Sequence, residues 1–256
     1  MNDELFEYIV SLENLFDAWE AFCRGKRSKP DVMAFERHLE DNIFSLQQGL
    51  WEETYSHDPY TPFTIFDPKQ RSIHKATVRD RVVHQAVVNG IEPLFEKQFI
   101  CDSYSCRIGK GAHAAVVRLG TFLRQGSLND TKTIYGLKCD VRKFFASVDQ
   151  EILLFLLKRK IKDERIVHLL EHIIGSFSTL PGKGIPLGNL TSQLFANVYL
   201  HELDHYVKHD LRVHHYLRYC DDFVILTPLR SEAVDLAKKI DVFSKADSNW
   251  NCTQTK

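Results

Sequence analysis

Residues Tyr216 to Leu226 form an apolar run broken by the adjacent carboxylates Asp221 and Asp222. Two short strands joined by a turn at the carboxylates explain that pattern. Paired acids in such a setting are costly to bury unless something positive compensates them. A divalent metal does so, and the hard cation Mg²⁺ prefers oxygen ligands, few of them from protein where substrate phosphates supply the rest. Asp-Asp alone is common on surfaces. Here it is paired with Asp140, 81 residues earlier, inside a second strand candidate, Ile134 to Val141. In that strand Leu137, Cys139 and Val141 point one way and Lys138 and Asp140 the other.

The chain has 256 residues, 44% of them hydrophobic, enough for a sizeable core in one large domain or two small ones. No stretch approaches about 18 consecutive apolar residues, so no membrane span is expected. The start lacks a basic and apolar leader. The six cysteines (Cys23, Cys101, Cys106, Cys139, Cys220, Cys252) contain no C-x-x-C pair. A reduced, cytoplasmic protein is the expectation. The net charge of -1 hides an asymmetry: residues 1–60 hold 5 Lys and Arg against 13 Asp and Glu, and the remainder 28 against 21. Basic groups at 24–29, at Lys69, Arg71, Lys75, Arg79 and Arg81, at Lys138, Arg142 and Lys143, and at 158–162 suit the lining of a phosphate-binding channel, although any one alone reads as a solvated face.

Along the chain, periodicity predicts helices over 3–22, about 31–48, 77–88 and 149–159, and loop with short strand over 54–68. Residues 182–189 form a glycine-rich loop, after which Thr191 or Ser192 is expected to cap a helix. Helices and strands intermix without regular alternation, which indicates an α+β fold.

These residues resemble those of reverse transcriptases. Tyr219-Cys220-Asp221-Asp222 is similar to the Y-x-D-D box of that family. Asp140-Val141-Arg142-Lys143-Phe144-Phe145 resembles its first catalytic strand, and Gly184 to Asn197 the loop and helix between. The likeness extends upstream through Pro68-Lys69-Gln70-Arg71, residues 79–83 and residues 103–111, so it covers roughly residues 50–226. Leu187-Gly188-Asn189-Leu190-Thr191-Ser192-Gln193 departs from the Gln-Gly-x-x-x-Ser-Pro of group II intron enzymes and resembles diversity-generating retroelement reverse transcriptases. That subfamily copies a template-repeat RNA with errors at adenines and works with a small basic accessory variability protein.

The resemblance implies a right-hand polymerase with fingers at 1–135 and an antiparallel palm with packed helices at 136–256, the chain ending before a thumb. It implies two Mg²⁺ ions, with Mn²⁺ able to substitute, held by Asp140, Asp221, Asp222 and the carbonyl of Val141. Lys69 and Arg71, on a fingers hairpin, are expected to neutralise dNTP triphosphate charge, and Phe145 to act as a steric gate against the ribose 2′-hydroxyl. Leu187 and Gly188 are expected beside the nascent base pair, and Tyr219, Ser192 and Gln193 near template RNA and a DNA or RNA primer. Lys256 would be the lysine of the next palm motif.

Two other readings stand beside this one. The first is a truncated, catalytically defective relative that binds RNA, its activity compromised by the missing thumb. The second, remote one is a zinc hydrolase, since His201-Glu202-Leu203-Asp204-His205 matches H-E-x-x-H. Gly109-Lys110-Gly111 and Gly182-Lys183-Gly184 do not match a P-loop.

Overall fold

The computed structural model describes residues 2–66, 69–248 and 252–255. Its elements in chain order are α1 (Asn2–Val10), α2 (Leu12–Cys23), α3 (Pro30–Glu36), α4 (Leu39–Trp51), β1 (Thr61–Phe66), β2 (Gln70–Lys75) and α5 (Val78–Glu96). Then come β3 (Ser103–Tyr104), α6 (Ala112–Gly126), β4 (Tyr135–Val141), α7 (Phe144–Ser147), α8 (Gln150–Lys158) and α9 (Glu164–Gly175). They are followed by α10 (Leu190–His205), a π-helical turn (Tyr206–Asp210), β5 (Tyr216–Tyr219), β6 (Asp222–Thr227), α11 (Arg230–Ser248) and β7 (Cys252–Thr255).

Two compact units each draw on two chain segments: residues 1–97 with 149–195, and residues 98–148 with 196–256. The expected boundary at 135/136 falls inside the second unit, at the start of β4.

In the first unit the helix expected over 3–22 is two helices. Ser11 takes extended backbone, accepts a hydrogen bond from the Asn14 amide at 3.1 Å and so caps α2. Asn14, fully buried, then donates to the carbonyls of Ile9 (3.0 Å) and Ala86 (3.1 Å), tying the break to α5. Gly90 of α5 permits the close approach of α1, because a Cβ there would lie 2.5 Å from Ile9 Cγ1. The helix expected over 31–48 likewise divides, at His38, into α3 and α4. Helix α5 runs eight residues beyond its expected end and contains Pro93. Strands β1 and β2 form an antiparallel hairpin in which Ile65 lies opposite Arg71 and Phe66 opposite Gln70.

The second unit holds a five-stranded sheet ordered β3-β5-β6-β4-β7. Its pairings are antiparallel except β3 with β5, which is parallel, so the sheet is mixed rather than purely antiparallel. One face carries Tyr216, Arg218, Phe223, Ile225, Leu137, Cys139 and Val141, all buried. Asp204 of α10 is hydrogen-bonded to that face, and α11 joins the same side through Tyr206, stacked 4.2 Å from Phe243. The opposite face carries Leu217, Val224 and Leu226 at one end, packed with Ala115, Leu119 and Phe122 of α6. Helices therefore lie on both faces of the sheet. Lys256 and Pro68 fall outside the described residues. Among the described residues no helix is long and apolar enough to cross a membrane.

Candidate active site

Helix α6 covers only half of its sheet face. The uncovered end holds Asp140, Asp222 and Tyr219. Asp140 lies directly opposite Asp222 across β4 and β6, and Asp222 directly opposite Tyr219 across β6 and β5, so all three side chains leave the sheet on one side. Between Tyr219 and Asp222 the chain reverses in a two-residue loop, Cys220-Asp221, whose first residue has φ +54°. A hairpin this tight needs a positive φ at that position to match the strand twist. The backbone oxygen of Asp221 accepts from the Val141 amide at 3.3 Å, which ties the turn to the end of β4. Just beyond, Lys143 also has a left-handed φ of +52°, and the chain swings into α7 with Phe144 buried and Phe145 half-buried against it at 5.4 Å between ring centres. Both turns that flank the acids are thus strained, as turns at functional sites often are.

The sequence-identified acids and Val141 are brought together by strand register. Their donor set is all oxygen, which suits a hard cation such as Mg²⁺. Lys138, on the same face, places its ammonium 3.4 Å from Asp222 Oδ1 and supplies positive charge where like charges face each other across the strands. The residues fit a divalent ion in type and register. As the side chains stand, no three or more His, Cys, Asp or Glu groups among the described residues converge to hold a metal. The same holds of His201 and His205, and the ring of His201 packs edge-on to Phe99 at 5.8 Å. Burial, aided by Asp221, pushes the Cys220 thiol up to about 12, so it is no nucleophile at neutral pH.

Beneath the turn lies a group that the sequence analysis missed. Arg218 is fully buried and bidentate to Asp204, at 2.8 Å (Nε to Oδ1) and 2.7 Å (Nη2 to Oδ2). Its remaining donors reach Asn197 Oδ1 (3.1 Å), Ser103 Oγ (2.8 Å) and the carbonyl of Cys220 (3.0 Å). Period-2 alternation was the available signal, since it places Arg218 on the face of Tyr216, Phe223 and Ile225.

Lys69, Arg71, Leu187, Gly188, Ser192 and Gln193 belong to the first unit. Lys69 and Arg71 are exposed at the β1–β2 hairpin. The 187–189 loop is docked on β2: the His74 amide donates to Leu187 O at 3.2 Å, and Asn189 Nδ2 to His74 O at 3.2 Å. Gly188 has φ +108°, and a Cβ there would lie 2.8 Å from Ile73 Cγ2. Gly188→Ala is therefore both strained and crowded, and should cost about 1–3 kcal/mol, measurable as a lowered urea midpoint. Neither Thr191 nor Ser192 caps α10, because the helix begins at Leu190 and includes both. Thr191 Oγ1 instead meets His84 Nδ1 at 3.2 Å, and Ser192 Oγ is buried without a hydrogen-bond partner.

His84 continues through His57 (3.1 Å between Nε2 atoms) toward the buried Asp80, to which Tyr55 donates at 2.8 Å. Burial, then His57, hold His84 down at about 3, so it is neutral when folded. The unfolded chain takes up a proton below about pH 6.5 that the folded one refuses. Its contribution to stability is therefore complete above about pH 6.5 and is lost progressively as pH falls toward 3. Urea midpoints from pH 7.5 to 4.5 should fall more steeply for the unaltered chain than for His84→Gln.

A family model described as "Reverse transcriptase (RNA-dependent DNA polymerase)" matches residues 66–256. The group II intron-encoded protein LtrA of Lactococcus lactis is 26% identical over 210 residues, covering 78% of this chain and 33% of LtrA. Protein YkfC of Escherichia coli is 28% identical over 145 residues, covering 54% of this chain and 38% of YkfC. The chain thus spans well under half the length of these relatives. Among solved structures, a chain of a partial Cas6-RT-Cas1–Cas2 complex matches with a TM-score of 0.52 at 20% identity, covering 95% of this chain and 43% of that one. Telomerase from Candida tropicalis, truncated from its C-terminal domain, matches with a TM-score of 0.52 at 12% identity, covering 85% and 55%. With its paired acids in register on one sheet and a family model covering most of its length, the chain belongs to the reverse transcriptase (RNA-dependent DNA polymerase) family.

Proposed function

We propose that the chain is an RNA-directed DNA polymerase. The observation that carries this reading is the register of Asp140 opposite Asp222 with Asp221 in the adjoining turn. Asp140, Asp221, Asp222 and the carbonyl of Val141 would hold two Mg²⁺ or Mn²⁺ ions, which when bound activate a primer 3′-hydroxyl and steady the leaving pyrophosphate. Lys69 and Arg71 bring charge to the triphosphate of a dNTP. The half-buried ring of Phe145 takes the space of a ribose 2′-hydroxyl and so rejects rNTPs. Gly188, lacking a Cβ, lets backbone approach the base pair. Tyr219, exposed beside Asp222, faces primer and template RNA.

Within that activity we place the chain with error-prone, diversity-generating enzymes that copy a template-repeat RNA, with a small basic accessory protein as partner. Leu187 supports this: leucine offers no donor or acceptor where accurate relatives carry glutamine. The Leu187 backbone is fixed by His74, so the side chain is exchangeable without moving the loop. One positioning hydrogen bond is worth about 0.5–1.5 kcal/mol. Leu187→Gln should therefore lower misincorporation opposite template adenine several-fold and leave correct incorporation intact. Sequencing cDNA from both forms on one adenine-rich RNA tests it, and equal adenine error rates would place the selectivity elsewhere.

A further inference from the structure

We propose that Arg218 and Asp204 are a positioning pair that fixes the Cys220–Asp221 turn, and with it the carboxylate of Asp221, for the reaction. The inference rests on the polymerase reading for its consequence but not for its geometry. Asp204 is a wildcard position of the H-E-x-x-H match.

A two-residue hairpin loop usually leaves its outer carbonyl to water. Here the Cys220 carbonyl accepts from Arg218 Nη1 at 3.0 Å, and the Cys220 amide donates to Tyr104 O at 3.3 Å. The next carbonyl, of Asp221, accepts from Val141 at 3.3 Å. Three backbone groups of the turn are thus held, around a residue kept at φ +54°.

The guanidinium in turn has no freedom to drift. All five of its N–H donors are placed, two of them on the carboxylate of Asp204, which also accepts from Tyr216 Oη at 2.6 Å. Asn197, which shares Nη1, donates onward to Ser105 O at 3.2 Å. Such a fully satisfied buried fork holds an orientation that a single ammonium does not. A pair serving stability alone would need no donor directed at the turn.

The test compares the full unaltered chain with Arg218→Lys and with the double variant Arg218→Met, Asp204→Leu, which keeps volume and removes both charges. Amide hydrogen exchange reads the turn directly. The amides of Cys220 and Val141 should exchange at least about tenfold faster in both variants, while Leu226, bonded to His215 in the same sheet, keeps its rate. For dNTP incorporation on an RNA template, kcat should fall roughly 10- to 100-fold with KM for dNTP within about threefold. Unchanged exchange at Cys220 and Val141, equal acceleration at Leu226, or an unchanged kcat with accelerated exchange would each overturn the proposal. Should one variant not fold, the other decides. An unaltered chain that incorporates no dNTP would overturn the polymerase reading, whereas the exchange result would still show whether Arg218 holds the turn.

Discussion

Asp221→Ala should abolish dNTP incorporation, by on the order of 10³-fold or more, and leave the fold standing. The alanine removes a half-buried carboxylate from the open end of the sheet. The backbone contact of Asp221, its carbonyl with the Val141 amide, survives the change. Asp140→Asn should act in the same direction on activity and in the opposite direction on stability. Asp140 and Asp222 are directly opposed, and like charges so placed destabilise a strand pair by about 0.2–1 kcal/mol. Neutralising one should raise the thermal midpoint by roughly 1–3 °C while incorporation is lost. A gain in stability with a loss of activity is the signature of acids kept for chemistry. A variant that loses both would mark Asp140 as part of the fold instead.

The second large effect falls on stability. Asp204→Ala should cost about 3–5 kcal/mol, because it leaves the Arg218 guanidinium fully buried without its counter-charge and deprives the Tyr216 hydroxyl of its acceptor. For a chain of this size that corresponds to a fall in thermal midpoint of roughly 10 °C or more. The Arg218→Met, Asp204→Leu pair likewise strips Tyr216, Asn197 and Ser103 of partners, so the amount by which it is less costly than Asp204→Ala measures the unpaired buried charge. If the single and double variants were equally unstable, the charge pair itself would be a net source of stability here.

What the sequence disclosed was what depends on local periodicity. Strands β4, β5 and β6 alternate cleanly, and the two acids interrupt an otherwise inward-facing pattern, so the hairpin and its turn were readable to within a residue. The helix breaks at Ser11 and His38 were not, because the apolar spacing runs on across both and only the backbone conformation of one residue divides each helix. Helix α5 outruns its expected end at 88, and Pro93 sits within its last turn. Helix α9 was readable yet unassigned: Asp163 caps it, and Ile166, Leu169, Leu170, Ile173 and Ile174 keep helical spacing. The Arg218 network was out of reach for a physical reason. Its partners lie 14, 21 and 115 residues away in sequence, and only the folded sheet brings them together. Sequence thus named the acids, and the fold supplied the apparatus beneath them.

The most direct measurement is extension of a labelled DNA primer on an RNA template by the full chain in Mg²⁺, with dNTPs and with rNTPs in parallel. The account predicts a template-matched DNA ladder with dNTPs, little extension with rNTPs, and none from Asp221→Ala. Template-matched extension that survives Asp221→Ala, or no template-dependent extension from the unaltered chain, would contradict it.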